Sequence, residues 1–303
     1  MFVRVQACAQ VHFILIPDRD ADYGSRMTAH YGADLGPAYG QNCKFVLFSS
    51  AHYMTLEAGR RLDALVMPLG ADNILCDGAL MKALEVMEGP YDVLAVTGFR
   101  LFADKVEPII RERFRDGDGI IAISPADYAA LLAEQIPENN YADSQDFTHF
   151  PLILCWRGGD GSLLVHSNHF HPCCLRASAL KPLSVTTDPV DGRFLARQGM
   201  DPRRIYVAQD TEFAISDWGD SPLIVPTSKR GLSKAEISLW LWMYWDSLRE
   251  FYFRTPIRIG AKPAGADFPA LEATAKALLD DILAESMRRE RRNTERRAWK
   301  RLM

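Results

Sequence analysis

Three clusters of residues carry side chains able to do chemistry, and each follows a run of apolar residues. The first is MPLGADNILCDG (67–78), where Asp72 and Asn73 come after DALVMPL and Asp77-Gly78 precedes a helical stretch. An Asp just beyond the carboxyl end of a strand can coordinate a hard divalent cation that also holds phosphate oxygens. A helix opening at Asp77 would add unpaired N–H groups and the positive end of its dipole. The same residues equally suit a turn at Asp72 and a cap at Asp77. The second cluster is HSNHFHPCC (166–174). His169 and His171 are two apart, so on a continuing strand both rings point to one face and His166 to the other. One or both can then bind a metal, and Cys173 and Cys174 can extend the set towards zinc. Hydrogen-bonded histidines at a strand edge fit the pattern as well. The third is VAQDTEFAISDWGD (207–220), in which Asp210 and Glu212 follow the strand-like RIYVA. Paired carboxylates there can supply a general base for a hydroxyl nucleophile, orient sugar hydroxyls, or form a solvated turn.

The elements that must position these groups alternate through the first half. Strands are expected at VHFILI (11–16), KFVLFS (44–49), DALVMPL (63–69) and YDVLAVTG (91–98). Helices are expected at 51–62, with Tyr53, Leu56 and Leu62 on one face, at 78–89, with Leu80, Leu84 and Met87 in a stripe, and at 104–114. Continuous apolar strands separated by helices imply a mostly parallel sheet covered on both faces. After a polar stretch (135–148), FPLILCWR and SLLVHSNHF flank Gly158, Gly159, Asp160 and Gly161, a hairpin signal. Asp191 suits the cap of a short helix, DGRFLARQG, and His52 fits a capping or core role. Ser233 and Glu236 read as a capping box for an aromatic-rich helix reaching about Phe253, and a last helix runs from Leu271 into a basic tail. The division expected is an α/β domain over 1–230 and a helical extension over 231–303.

Composition narrows the classes. The chain has 303 residues, 48% hydrophobic and 24% charged, with a net charge of −4. Those proportions belong to a globular protein rather than a disordered one. The acidic balance argues against a free-standing nucleic-acid binder. Within 285–303, however, eight Arg or Lys stand against three Glu, a surplus of +5. This tail reads as a solvated, salt-bridged helix end or as a peripheral contact with anionic lipid headgroups. FILIP and SLWLWMYW are too short to span a bilayer. The six cysteines fit no disulfide framework, and a reducing cytoplasm is the compartment expected.

Taken in order, KFVLFSSAHYMTLEAGRRLDALVMPLGADNILCDGALMKAL, VTGFRL (96–101), FPLILCW, LLVHSNHFHP and DTEF resemble bacterial glycosyltransferase-like proteins of the GT-A type, over roughly residues 40–215. The resemblance implies a Rossmann-like α/β fold and transfer of a sugar from a nucleoside diphosphate donor to a hydroxyl on a glycan, lipid or protein acceptor. It gives Asp72 the acidic-motif role, with Asn73, Asp77 and Gly78 beside the diphosphate. His169 or His171 becomes the late metal ligand, and Asp210 or Glu212 the group acting near the acceptor. The cofactor implied is Mn²⁺ or Mg²⁺, weakly held because Asn73 and Ile74 stand where a second Asp would complete Asp-x-Asp. Two other readings fit the same residues: a metal-dependent hydrolase centred on His169 and His171, and a non-catalytic scaffold on the same fold.

Overall fold

The computed structural model describes residues 42–69, 73–97, 99–136, 153–159, 161–167, 170–181, 190, 192–209, 213–219, 234–243, 245–260 and 268–302. The strand expected at 11–16 and the polar stretch 137–148 lie outside them.

The chain is a mixed α/β protein. The first correction is at its start: KFVLFS is not a strand but the opening of helix α1 (Asn42–Leu62). The buried side of α1 is Ser49, His52, Leu56 and Gly59, spaced three or four apart. Among the described side chains its inner stripe thus mixes the apolar Leu56 with small and polar residues, while the apolar Leu62 is 64% exposed. The expected strand 63–69 shortens to β1 (Leu65–Val66), and β2 (Asn73–Leu75) follows. Helix α2 (Ala79–Glu88) forms as expected, but of the stripe Leu80, Leu84 and Met87 only Met87 is buried; the helix is turned so that Ala79, Ala83 and Val86 face the core with it. Gly78 rather than Asp77 is its N-cap, at φ 75°, and makes no side-chain cap bond. Then come β3 (Val93–Val96), β4 (Phe99–Phe102), α3 (Ala103–Arg113) and α4 (Pro125–Gln135). The hairpin is present as β5 (Ile153–Arg157) and β6 (Leu163–Ser167), antiparallel. The β6 strand does not continue through His169; a separate strand, β7 (His171–Arg176), begins in another sheet. The remaining elements are α5 (Gly192–Gln198), β8 (Ile205–Val207), β9 (Ile215–Gly219), α6 (Lys234–Met243), α7 (Arg249–Arg254), β10 (Ile257–Ile259) and α8 (Phe268–Leu302).

Among the described residues the expected mostly parallel central sheet is replaced by three small sheets: β1-β7-β3-β8 and β2-β9-β4, both mixed, and β10-β6-β5, which is antiparallel. Only the pairs β3–β8 and β4–β9 are parallel among the described strands. The physical reason lies in β3. It is buried throughout, and a continuous apolar run does not itself distinguish parallel from antiparallel partners once both faces are covered. Asp92 locks the amino end of this strand. Its carboxylate accepts from Arg204 Nε (2.8 Å) and Nη2 (2.7 Å) and lies 3.6 Å from Arg176 Nε. The Asp92 N–H also donates to the Arg204 carbonyl, and the Arg176 N–H donates to the Asp92 carbonyl, both at 2.8 Å.

Two cores result. The larger surrounds β3 and β7 and reaches α2, α4 and one face of the β5–β6 hairpin. The smaller packs Leu154, Trp156 and Leu164, from the other face of that hairpin, against Ile237, Leu241, Phe253 and α8. The hairpin is therefore buried on both sides, which is why its strands are continuously apolar. The aromatic helix expected to reach Phe253 stops at Met243. Asp246 then forms the turn ahead of α7, accepting from the N–H of its N-cap Leu248 (2.9 Å) and pairing with Arg249 (3.0 Å), whose side chain is 2% exposed. No described helix is long and apolar enough to cross a membrane.

Candidate functional site

The parallel pairs share a continuous path. Strands β3 and β8 run side by side in one sheet. Their successors β4 and β9 run side by side in another. Two residues, Thr97 and Gly98, separate β3 from β4, and residues 208–214 separate β8 from β9. The two chains therefore turn together at an elbow, and the carboxyl ends of two parallel strands open there. In α/β proteins that position is where ligands bind. The elbow encloses a narrow cleft walled by Val96, Thr97, Ala208, Phe213, Ala214 and Ile257, among others. Its lining side chains are apolar apart from Thr97, and it has room for little more than a single water molecule.

Several segments nominated by sequence meet this elbow. His171 opens β7 directly opposite Val96, a cleft wall. The turn bearing Asp77 and Gly78 is tied to it through Cys76, whose N–H donates to the Ala214 carbonyl (3.0 Å) while the Ala214 N–H donates to Cys76 Sγ (3.3 Å). Asp77 itself is exposed, and its N–H donates to the Ile123 carbonyl (2.8 Å). Asn73 stands further off, at the far end of β2, paired with Asp217 of β9. Asp72, His169, Asp210 and Glu212 lie outside the described residues. Among the described residues no group of three or more His, Cys, Asp or Glu side chains could hold a metal ion.

The other imidazoles and the thiols are structural. His166 faces the helical layer: its Nδ1 is 3.0 Å from the Phe253 carbonyl and its ring lies edge-on to Trp156. A carbonyl only accepts, so Nδ1 carries the proton. In His52 the roles reverse, because Nδ1 accepts from the Val190 N–H (3.0 Å), leaving the proton on Nε2. Burial pushes both rings down to about 4, so they stay neutral. Burial also raises the thiols of Cys76, Cys155 and Cys173 and pushes that of Cys174 up to about 12. Among the described residues neither Cys173 nor Cys174 joins His171 in a group of three side chains able to hold a metal ion. A register shift between Leu94 and Ala95 explains why both are buried: Leu94 pairs with Cys174 and Ala95 with Pro172, leaving Cys173 as the extra residue of a bulge.

Sequence reasoning passed over two residues at the elbow. Thr97 is buried in the cleft wall. Gln209 fastens β10 to the rim, donating to the Pro256 carbonyl and accepting from the Arg258 N–H, each at 3.3 Å. A polar residue directly after a short apolar strand was the available signal for each. Comparison with known proteins finds no match to a family model, a curated protein or a solved structure.

Proposed function

We propose that the chain is a nucleotide-sugar-dependent glycosyltransferase working at the outer rim of the elbow between β3–β8 and β4–β9, because the cleft inside it holds little more than a water molecule. The observation that supports this reading most is the parallel register of β3 with β8, which sets two strand carboxyl ends side by side with His171 opposite Val96. Asp210 and Glu212 follow Gln209 in the chain, and Asp72 precedes Asn73. Imidazole and carboxylate oxygen suit Mn²⁺, and carboxylates alone suit Mg²⁺. A divalent ion held by Asp72 with His169 or His171 would neutralise charge on the leaving diphosphate. Asp210 or Glu212 takes the proton of the acceptor hydroxyl as it attacks the sugar.

Titrating the protein with Mn²⁺ together with UDP or GDP tests this. Ligand at a hundredfold its Kd stabilises the fold by about 2.7 kcal/mol, readable as a rise in Tm. His171→Ala and Asp72→Ala should each remove the Mn²⁺-dependent part of that rise. An unchanged Tm at millimolar ligand sinks the proposal. The tight apolar cleft favours a second reading, a binding or scaffold protein without catalysis. Under it Asp72→Ala and His171→Ala would leave partner binding intact.

A further inference from the structure

Helices α6 and α8 lie parallel and in register. Lys234 pairs with Asp281 (2.8 Å), Ser286 Oγ donates to the Ser238 carbonyl (2.9 Å), and Trp242 Nε1 donates to Glu290 Oε2 (2.8 Å). The small serines, both fully buried, let the two helices approach closely. The register carries the end of α6 to the turn of α8 where the arginines begin. Arg288, Arg289 and Arg292 all converge on the single carboxylate of Glu285, at 2.9, 3.1 and 3.6 Å. One anion serves three cations, and Arg296, Arg297, Lys300 and Arg301 follow in the same helix. At the same level along the helix pair α6 carries two exposed apolar side chains one turn apart: Leu239 is 39% and Met243 62% exposed. A protein of net charge −4 gathers its positive charge here, next to exposed apolar side chains.

From this juxtaposition we infer that the α6–α8 end is a docking surface for an anionic lipid bilayer. Two features select that occupant. The basic residues are spread from 288 to 301 along one helix, which suits a broad field of headgroups rather than one phosphate, and Leu239 and Met243 supply apolar groups that enter the headgroup boundary. The inference does not rest on the sugar-transfer reading. It concerns a different face, and its test reads no activity.

The test is sedimentation of the full chain with vesicles of phosphatidylcholine alone and of phosphatidylcholine with 30% phosphatidylglycerol (a fraction of about a third gives a strong surface potential). The protein should pellet with the anionic vesicles only, and release as salt rises from about 50 to 500 mM, where the Debye length falls below the headgroup spacing. Each basic group near such a surface is worth about fivefold in partition. Arg288→Gln with Arg292→Gln, both on the exposed side, should therefore weaken binding at least tenfold without altering Tm. Met243→Ser should weaken it by a similar factor at about 50 and about 150 mM salt, before the wild type is released. Equal binding to both vesicle types, or none to either at low salt, overturns the inference. So does binding to a DNA duplex as tight as to vesicles and indifferent to Met243→Ser, because that behaviour marks a general polyanion site.

Discussion

His52 and His166 make the fold sensitive to acid. In the unfolded chain each ring titrates at its ordinary 6.5, whereas in the folded chain burial holds it down to about 4. As pH falls below 6.5 the unfolded state takes up protons first. Stability is therefore complete above 6.5, declines between 6.5 and 4, and levels off once the folded rings also protonate. Each group accounts for up to about 3 kcal/mol of that loss. Denaturant midpoints measured from pH 7.5 to 4.5 should fall steeply, and His166→Asn should roughly halve the slope. A flat profile would contradict the burial of both rings. Asp92 is the other single residue on which much depends. Asp92→Asn leaves the Arg204 and Arg176 guanidinia facing a neutral amide at the start of β3, at a cost of about 2 kcal/mol given that both arginines are partly exposed. Arg204→Gln should cost less than the sum when combined with it, since the two changes remove one interaction.

At the scale of elements, α1 shows both what the residues disclosed and what they hid. KFVLFS has the length and composition of a buried strand, and nothing within those six residues argues for a helix. The deciding pattern is the longer one, Ser49, His52, Leu56 and Gly59, in which the only large apolar residue facing inward is Leu56 among the described side chains. Gly59 sits inside because a Cβ there would collide with the Val66 side chain and reach Ala177 Cβ at 3.1 Å. Gly59→Ala should therefore lower Tm despite the roughly 1 kcal/mol that alanine gains in a helix. Adding Val66→Ala should restore part of the loss by freeing the space. A Tm equal to or above that of the parent for Gly59→Ala alone would show that β1 simply moves aside. Helix α4 was legible and was missed: Ser124, Pro125 and Asp127 spell a start signal, with Ser124 Oγ accepting from the Asp127 N–H (3.1 Å). The β5–β6 hairpin and α2 could be read because glycines mark the hairpin's turn and Gly89 the helix's end. The pairing of β3 with β7 and β8 could not. It is settled by partners about 80 and 110 residues away, held through Asp92, and no local pattern records them. The candidate site was legible to the same degree: strand ends pointed to His171 and the segment after β8, while the elbow that joins them is a property of paired strands.

At the scale of the whole molecule, the C-terminal quarter is interleaved with the rest. Strand β10 pairs with β6, and α6 and α8 cover Leu154, Trp156 and Leu164 on the outer face of the hairpin. A chain ending at residue 230 would bare that face and leave Arg258 and Pro256 absent from the rim at Gln209. Such a truncation should lose its cooperative thermal transition and bind a hydrophobic dye strongly. A sharp melt near that of the full chain would show that the first 230 residues fold alone.

The place of β10 in the chain also bears on how the protein is made. Eighty-nine residues lie between Ser167 at the end of β6 and Ile257 at the start of β10. At a synthesis rate of about 5 to 20 residues per second, an interval of roughly 5 to 18 s passes between translation of the two partners. Throughout it the nascent hairpin holds an open edge and a bare apolar side, both of which invite pairing with other chains. Yield in a living cell should thus depend on how fast ribosomes cross the stretch from 168 to 256 and on whether a chaperone shelters the hairpin meanwhile.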